Sequence, residues 1–277
     1  MSGVALALAA SLSWGLADFG GGVGARRVHL AWVTLVSQLA GLSLVGVLWL
    51  VTQPAAPSAR QLAWGIFGGA FGALGLAAFY RALAVGAMGV VGPITSTSVI
   101  VPVTYGLARG ERPSVLQGLG VALAVAGVVG ASLERVEERR QVGAGVGLAL
   151  VAALGFGSSI IGLNRASQAG VVWGTLSLRL TAVPIMIVAA LLLRPTAEGV
   201  RRALPLLLAT GLFDTGANLL YGAASTRGLI SVVSVLASLY PVVLVVLARV
   251  VLAERIQRAQ LAGVAVALAG VALISSA

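Results

Sequence analysis

The 277-residue chain has no cysteine, no lysine and a single histidine, and only 9% of it is charged. Without cysteine there are no disulfides, no thiol chemistry and no Cys-ligated metal. One histidine, His29, beside Arg26 and Arg27 in a short polar stretch, leaves no histidine cluster to hold a metal and reads as a solvated loop residue. No nucleophile-base-orienter set, zinc spacing or Walker loop occurs, and the Gly20 to Gly24 run follows a helical pattern rather than a strand, so a phosphate cradle fails on context. These absences argue against an enzyme and imply no cofactor. Soluble domains carry about 25% charged residues. Here 59% of residues are hydrophobic and the mean hydropathy is +1.04, far more apolar surface than a soluble core can bury.

What is present is a series of apolar runs, most of them near the roughly 20 residues that cross a bilayer. Cutting at charge, proline and polar clusters predicts ten spans, at about 3–23, 31–51, 62–84, 87–107, 115–132, 143–163, 171–193, 204–224, 228–248 and 259–276. The first has no basic segment before it and no small-residue cleavage site, so it reads as a first helix rather than a signal peptide. The net charge of +10 comes from arginines placed singly or in pairs between the runs. Such flanks orient helices against an anionic lipid bilayer and do not point to nucleic acid.

The chain says nearly the same thing twice. Phe79-Tyr80-Arg81-Ala82, Leu107-Ala108-Arg109, Glu111-Arg112, Gln117, Gly120 and Gly127 are answered by Leu220-Tyr221-Gly222-Ala223, Leu247-Ala248-Arg249, Glu254-Arg255, Gln260, Gly263 and Gly270. Tyr80 and Tyr221 lie 141 positions apart, Arg109 and Arg249 140. The order of landmarks survives small insertions, which marks an internal duplication. The predicted fold is an all-α polytopic membrane protein of ten transmembrane helices, with repeats over 1–132 and 143–277. The charged stretch 133–142 reads as a linker. Five spans per repeat is an odd number, so the second repeat enters the membrane in the opposite sense, as two inverted five-helix repeats.

The fourth predicted helix carries Gly92-Pro93, Thr95, Ser96, Thr97, Ser98 and Pro102; its partner, the ninth, carries Ser231, Ser234, Ser238, Tyr240 and Pro241. Proline removes an intrahelical hydrogen bond and hydroxyls can satisfy the freed carbonyls, so both should bend, at Pro102 and Pro241. Aligning those prolines puts Val101 opposite Tyr240. Gly65, Gly68, Gly69, Gly72 and Gly75 in the third helix let backbones approach closely. The Gly stripes of the fifth and tenth helices read as a seam between the halves or between two protomers of a homodimer.

Ten spans in two halves, Trp14-Gly15 in the first helix, and Ser238-Leu239-Tyr240-Pro241 followed by Leu252-Ala253-Glu254-Arg255, Gln260 and Gly263 resemble the EamA branch of the drug/metabolite transporter superfamily. The resemblance covers the whole chain. It departs in the first half, where Pro102 to Glu111 is shorter than Pro241 to Glu254. It implies a multi-pass protein of the cell (inner) membrane that exports amino acids or other small metabolites without ATP hydrolysis.

Ionisable groups within a bilayer are costly, about 2.5–3.5 kcal/mol on insertion scales, so each is a functional candidate. Asp18, Arg81, Arg179 and Asp214 stand out. Asp214 and Arg179 read either as a buried pair or as a substrate or proton site, with Asn218 one turn from Asp214. Trp14, one turn before Asp18, could give a carboxylate and an aromatic wall to an ammonium group. Arg81 beside Tyr80 reads as a residue reaching for headgroups. The substrate-binding candidates are Trp14, Asp18, Ser96, Ser98, Asp214, Asn218 and Ser238, with Arg179 and Asp214 as an ion pair or coupling device. The expected function is a secondary transporter, an exporter of a small polar metabolite such as an amino acid, working by alternating access. Sugar, nucleoside or cationic drug carriers and a non-transporting scaffold are the alternatives. The arginines fall mainly beside the odd-numbered connections, which places both termini outside by the positive-inside rule, whereas the resemblance implies termini inside.

Overall fold

The computed structural model describes residues 2–85, 94–131, 142–251 and 258–276. The regular structure among them is helical: α1 (Gly3–Ala25), α2 (Leu30–Thr52), α3 (Ala59–Val85), a 3-10 turn (Thr97–Val99) running into α4 (Ile100–Ala108), α5 (Val115–Ala131) and α6 (Val142–Ser167). Then come α7 (Val171–Leu193), α8 (Val200–Ser225), α9 (Ile230–Ala237), α10 (Tyr240–Val251) and α11 (Arg258–Ser275). Six helices, α1 to α3 and α6 to α8, are long and apolar enough to cross a membrane, and shorter apolar helices cover Ile94–Ala108, Val115–Gly130 and Leu261–Ile274.

Local chemistry sets the helix ends. Ser58 and Gln61 form a capping box at the start of α3: the Ser58 amide donates to Gln61 Oε1 at 2.9 Å, and the Gln61 amide donates back to Ser58 Oγ at 3.4 Å. Ser114 and Gln117 repeat it before α5, at 3.0 and 3.1 Å. His29 is more than a loop residue, since its Nδ1 accepts from the Ala31 amide and caps α2.

The main packing contacts cross between the halves: α1 on α8, α3 on α6, α2 on both α7 and α8, and α5 on α11. Gly68 faces Ser159 and Gly162 while Gly75 faces Ala152 and Phe156, so α3 and α6 run antiparallel. Gly20 faces Thr210 and Gly24 faces Leu207, so α1 and α8 do the same. Within each half the first and third helices point the same way. Two like-oriented halves would make first-on-third contacts parallel; the antiparallel contacts require one half to be turned over. Of the two seams expected from the glycine stripes of α5 and α11, the one between the halves is formed, with Gly120 against Gly270 and Gly127 against Gly263 and Ala267.

Two expectations change. The ninth predicted span, 228–248, is two helices, interrupted at Ser238 and Leu239. Ser238 Oγ donates to the Val235 carbonyl at 2.8 Å, and Pro241, in the first turn of α10, has no amide to continue the earlier ladder. The prolines are also not equivalent. Gly157 faces Ser98 and Val101, and Gly15, its counterpart, faces Tyr240 and Val243. Tyr240 therefore matches Ser98 rather than Val101, and Ser238 matches Ser96. The Gly92-Pro93 segment, most of the charged linker and Glu254-Arg255 lie outside the described residues.

Candidate functional site

α2, α7 and α8 cross where the charges meet. Arg179 of α7 is 3% exposed, and its Nη2 donates to Asp214 Oδ2 of α8 at 2.5 Å, a charge-assisted pair. Its Nη1 donates to the Gln38 side-chain oxygen of α2. Nε is buried without a partner. Gln38 and Arg179 are 141 positions apart, the offset of the repeat, so a residue and its own counterpart meet across the approximate two-fold that relates the halves. A desolvated guanidinium is tolerable only when paired, and here α8 supplies the carboxylate and α2 the neutral acceptor. Of the two readings that the sequence left open for Arg179 and Asp214, the structure shows the side chains paired; Gln38, their third member, was not anticipated.

Asn218, one turn after Asp214, is buried and turns its amide to the Asp214 backbone carbonyl at 3.0 Å, so it braces the helix rather than the carboxylate. Asp214 keeps 29% of its side chain accessible. Asp18 of α1 lies within electrostatic range of Asp214 and of Tyr240. Its side chain is exposed, and it makes no ion pair among the described residues. Trp14, one turn earlier, stacks at a tilt on Tyr221, with centroids 5.8 Å apart. Tyr221 is fully buried and its hydroxyl is bonded to Ser234 Oγ at 2.8 Å. α1 and α8 are pinned by Ser13 Oγ donating to the Phe213 carbonyl at 2.6 Å.

Arg179 and Asp214 thus meet at the crossing of α2, α7 and α8 with Asp18 of α1 in electrostatic range, while Trp14 packs on Tyr221. Ser238 sits at the break before α10, half-buried, with its hydroxyl engaged by its own turn. In the first half the counterpart place is taken by Ser96, which is buried, and Ser98, whose backbone lies beside Gly157 of α6. Arg81 is exposed.

Sequence reasoning also missed what clasps the halves. Glu111, read only as a repeat landmark, accepts from the Ile230 amide at 2.6 Å, the Ser231 amide at 3.0 Å and Ser231 Oγ at 2.6 Å. A first-half carboxylate thereby caps the N-terminus of second-half α9, with favourable dipole electrostatics. At the two ends of α2 and α7, Trp32 Nε1 donates to the Thr196 carbonyl at 3.0 Å and Trp173 Nε1 to the Pro54 carbonyl at 3.2 Å. The tryptophans are again 141 apart, as are the left-handed residues Gln53 (φ 38°) and Arg194 (φ 46°) that end the two helices.

A model of the EamA-like transporter family matches residues 1–133 and again 143–276. No curated protein matches significantly. A solved crystal structure superposes over 99% of this chain and 97% of its own with a TM-score of 0.81 at 17% identity, a likeness of fold. With its many apolar helices, this is a multi-pass membrane protein.

Proposed function

We propose, for a chain that belongs to the EamA-like transporter family through both of its halves, a secondary transporter that exports a small polar metabolite such as an amino acid by alternating access. The reading takes the eleven helices, with α9 and α10 as one broken span, as ten spans of two inverted five-helix halves. The observation that carries it is the Arg179–Asp214 pair, bridged to Gln38, at the crossing of α2, α7 and α8 beside the accessible carboxylate of Asp18. A scaffold needs no charge there, and hydrocarbon-buried charge is retained where it handles a substrate or an ion. Antiparallel cross-half pairs support a cycle in which one half tilts against the other around that crossing. The break at Ser238 and Leu239 supplies irregular backbone just before Tyr240, which lies within electrostatic range of Asp18, and polar cargo could be desolvated there.

In this reading Trp14 and Asp18 receive a cationic or ammonium part of the cargo, Arg179 and Asp214 form the element whose pairing changes during the cycle, and Ser96, Ser98, Asn218 and Ser238 line or shape the path. Proteoliposomes loaded with a panel of radiolabelled amino acids test it. Efflux of at least one substrate, lost in Asp18→Asn and Asp214→Asn while both variants stay folded, is the expected result. Full-rate transport by both variants would remove the carboxylates from the mechanism, and no efflux of any cargo from wild-type protein would remove the transport reading.

A further inference from the structure

A groove of about 460 Å³ lies where the start of α2 meets the end of α7, walled by Trp32, Leu35, Ile187, Ala190, Leu191 and Arg194. Ile187 and Leu191 are 38% and 68% exposed, so the wall is open to whatever surrounds the helices. The structure concentrates positive charge around its mouth. The Trp32 to Thr196 hydrogen bond, the approach of Gly199 to the Arg27 carbonyl and Val28, and the cluster of Val28, Val33, Ala203 and Leu207 fasten the α1–α2 turn to the α7–α8 turn. Those two turns and the helix ends beside them carry Arg26, Arg27, Arg194, Arg201 and Arg202 against the single acid Glu198.

The other end of the same helix pair is the molecule's own control. Ala190 and Arg194 of α7 correspond, at the repeat offset, to Trp49 and Gln53 of α2. There Trp49 stands edge-on against Trp173 at 5.8 Å, occupying the place that Ala190 leaves open, and the residue ending the helix is neutral. One end of the pair is filled and closes on a neutral residue; the other is hollow and closes on an arginine.

We propose that the hollow end is a binding site for one anionic phospholipid. An acyl chain lies along Leu35, Ile187 and Leu191, and the phosphate is held by Arg194, with Arg201 and Arg202 adding to the local potential. An apolar wall of a membrane helix pair rimmed by an indole and guanidinium groups matches a lipid in all its parts: chain at hydrocarbon depth, indole at the interface, cation at the phosphate. A free phosphate would use only the rim.

The test is native mass spectrometry of purified full-length protein, titrated with phosphatidylglycerol and with phosphatidylcholine of the same acyl chains, and separately with inorganic phosphate. Wild-type protein should retain phosphatidylglycerol at least about fivefold more tightly than phosphatidylcholine, one arginine near a surface giving about that factor. Arg194→Gln, which installs the residue of the opposite end, should remove that preference. Ala190→Trp, which copies the opposite end's own filling, should lose the first bound lipid of either kind. Arg60→Gln, at the far end of the helix pair, should change nothing. Equal retention of the two lipids, or a preference that survives both groove variants, overturns the proposal. Displacement of phosphatidylglycerol by inorganic phosphate makes this an anion site and overturns it equally. Should either groove variant unfold, the wild-type comparison and the other variant still decide. None of these outcomes depends on transport.

Discussion

The seam between α3 and α6 and the seam between α1 and α8 are counterparts, yet they are built differently. At one, Gly162 meets Gly68, and a Cβ added to Gly162 would lie 2.5 Å from the Gly68 Cα. At the other, the matching residues are Gly20 and Thr210, and the first atom met is the Thr210 hydroxyl. Glycine on both sides brings backbone to backbone and closes the seam. A threonine and a serine, Ser13, hold the second pair apart by side chains, and beside that seam stand Asp18 and Asp214. The same scaffold packs glycine on glycine in one copy and stands beside charge in the other. Duplication supplies the frame, and a few substitutions that break the symmetry supply the chemistry.

The largest effect should come from the charged side. Asp214→Ala leaves Arg179 buried against Gln38 alone, at a cost of about 3 kcal/mol. Thermal unfolding in detergent should show most of that loss recovered when Arg179→Leu is added. Equal instability of the single and double variants would mean the pair is not what α7 and α8 depend on. Next comes the glycine-on-glycine side: Gly162→Ala should cost about 1–3 kcal/mol because a backbone must move, and Gly20→Ala distinctly less because a side chain can turn. Equal costs at the two positions would erase the contrast between the seams. Gly22→Ala, where a Cβ meets nothing within 4 Å, is the control for helix propensity alone and should stabilise α1 by about 0.5–1 kcal/mol.

Smaller changes probe the clasps. Glu111→Ala removes three hydrogen bonds from the start of α9 and should cost about 1–2 kcal/mol. Faster hydrogen exchange confined to α9 would locate the loss; uniform exchange across both halves would contradict a local cap. Trp32→Phe and Trp173→Phe each remove one indole hydrogen bond, at about 1 kcal/mol apiece. If the two-fold governs these ends, their midpoint shifts should be alike, and a shift at one end alone would show that only that tether bears on stability.

Much of the fold was legible in the chain because its signals are periodic and cumulative. Apolar length marks a span, and landmarks such as Tyr80 and Tyr221 count the copies. The capping boxes at Ser58 and Ser114 are equally local, needing only residues three apart. The break before α10 falls at Ser238 and Leu239, just ahead of Pro241: the proline's missing amide was readable from sequence, the Ser238 hydroxyl's hold on the Val235 carbonyl was not. At the site, Arg179 and Asp214 were conspicuous as charges in apolar sequence. Gln38 was not, being neutral and ordinary until its neighbour is known.

Alone, the sequence determined that the chain lives in a bilayer and that it is built twice. Those conclusions follow from composition, length and repeated landmarks, which no packing can change. Only the tertiary structure decided which residues meet: that Gln38 touches its own counterpart Arg179, that Glu111 caps a helix of the other half, and that Trp49 fills one end of α2 and α7 while Ala190 leaves the other open. Such contacts join positions 119 or 141 residues apart. Their identity depends on how two helix faces dock, and docking is set by the sum of many small side-chain fits that a linear pattern does not contain.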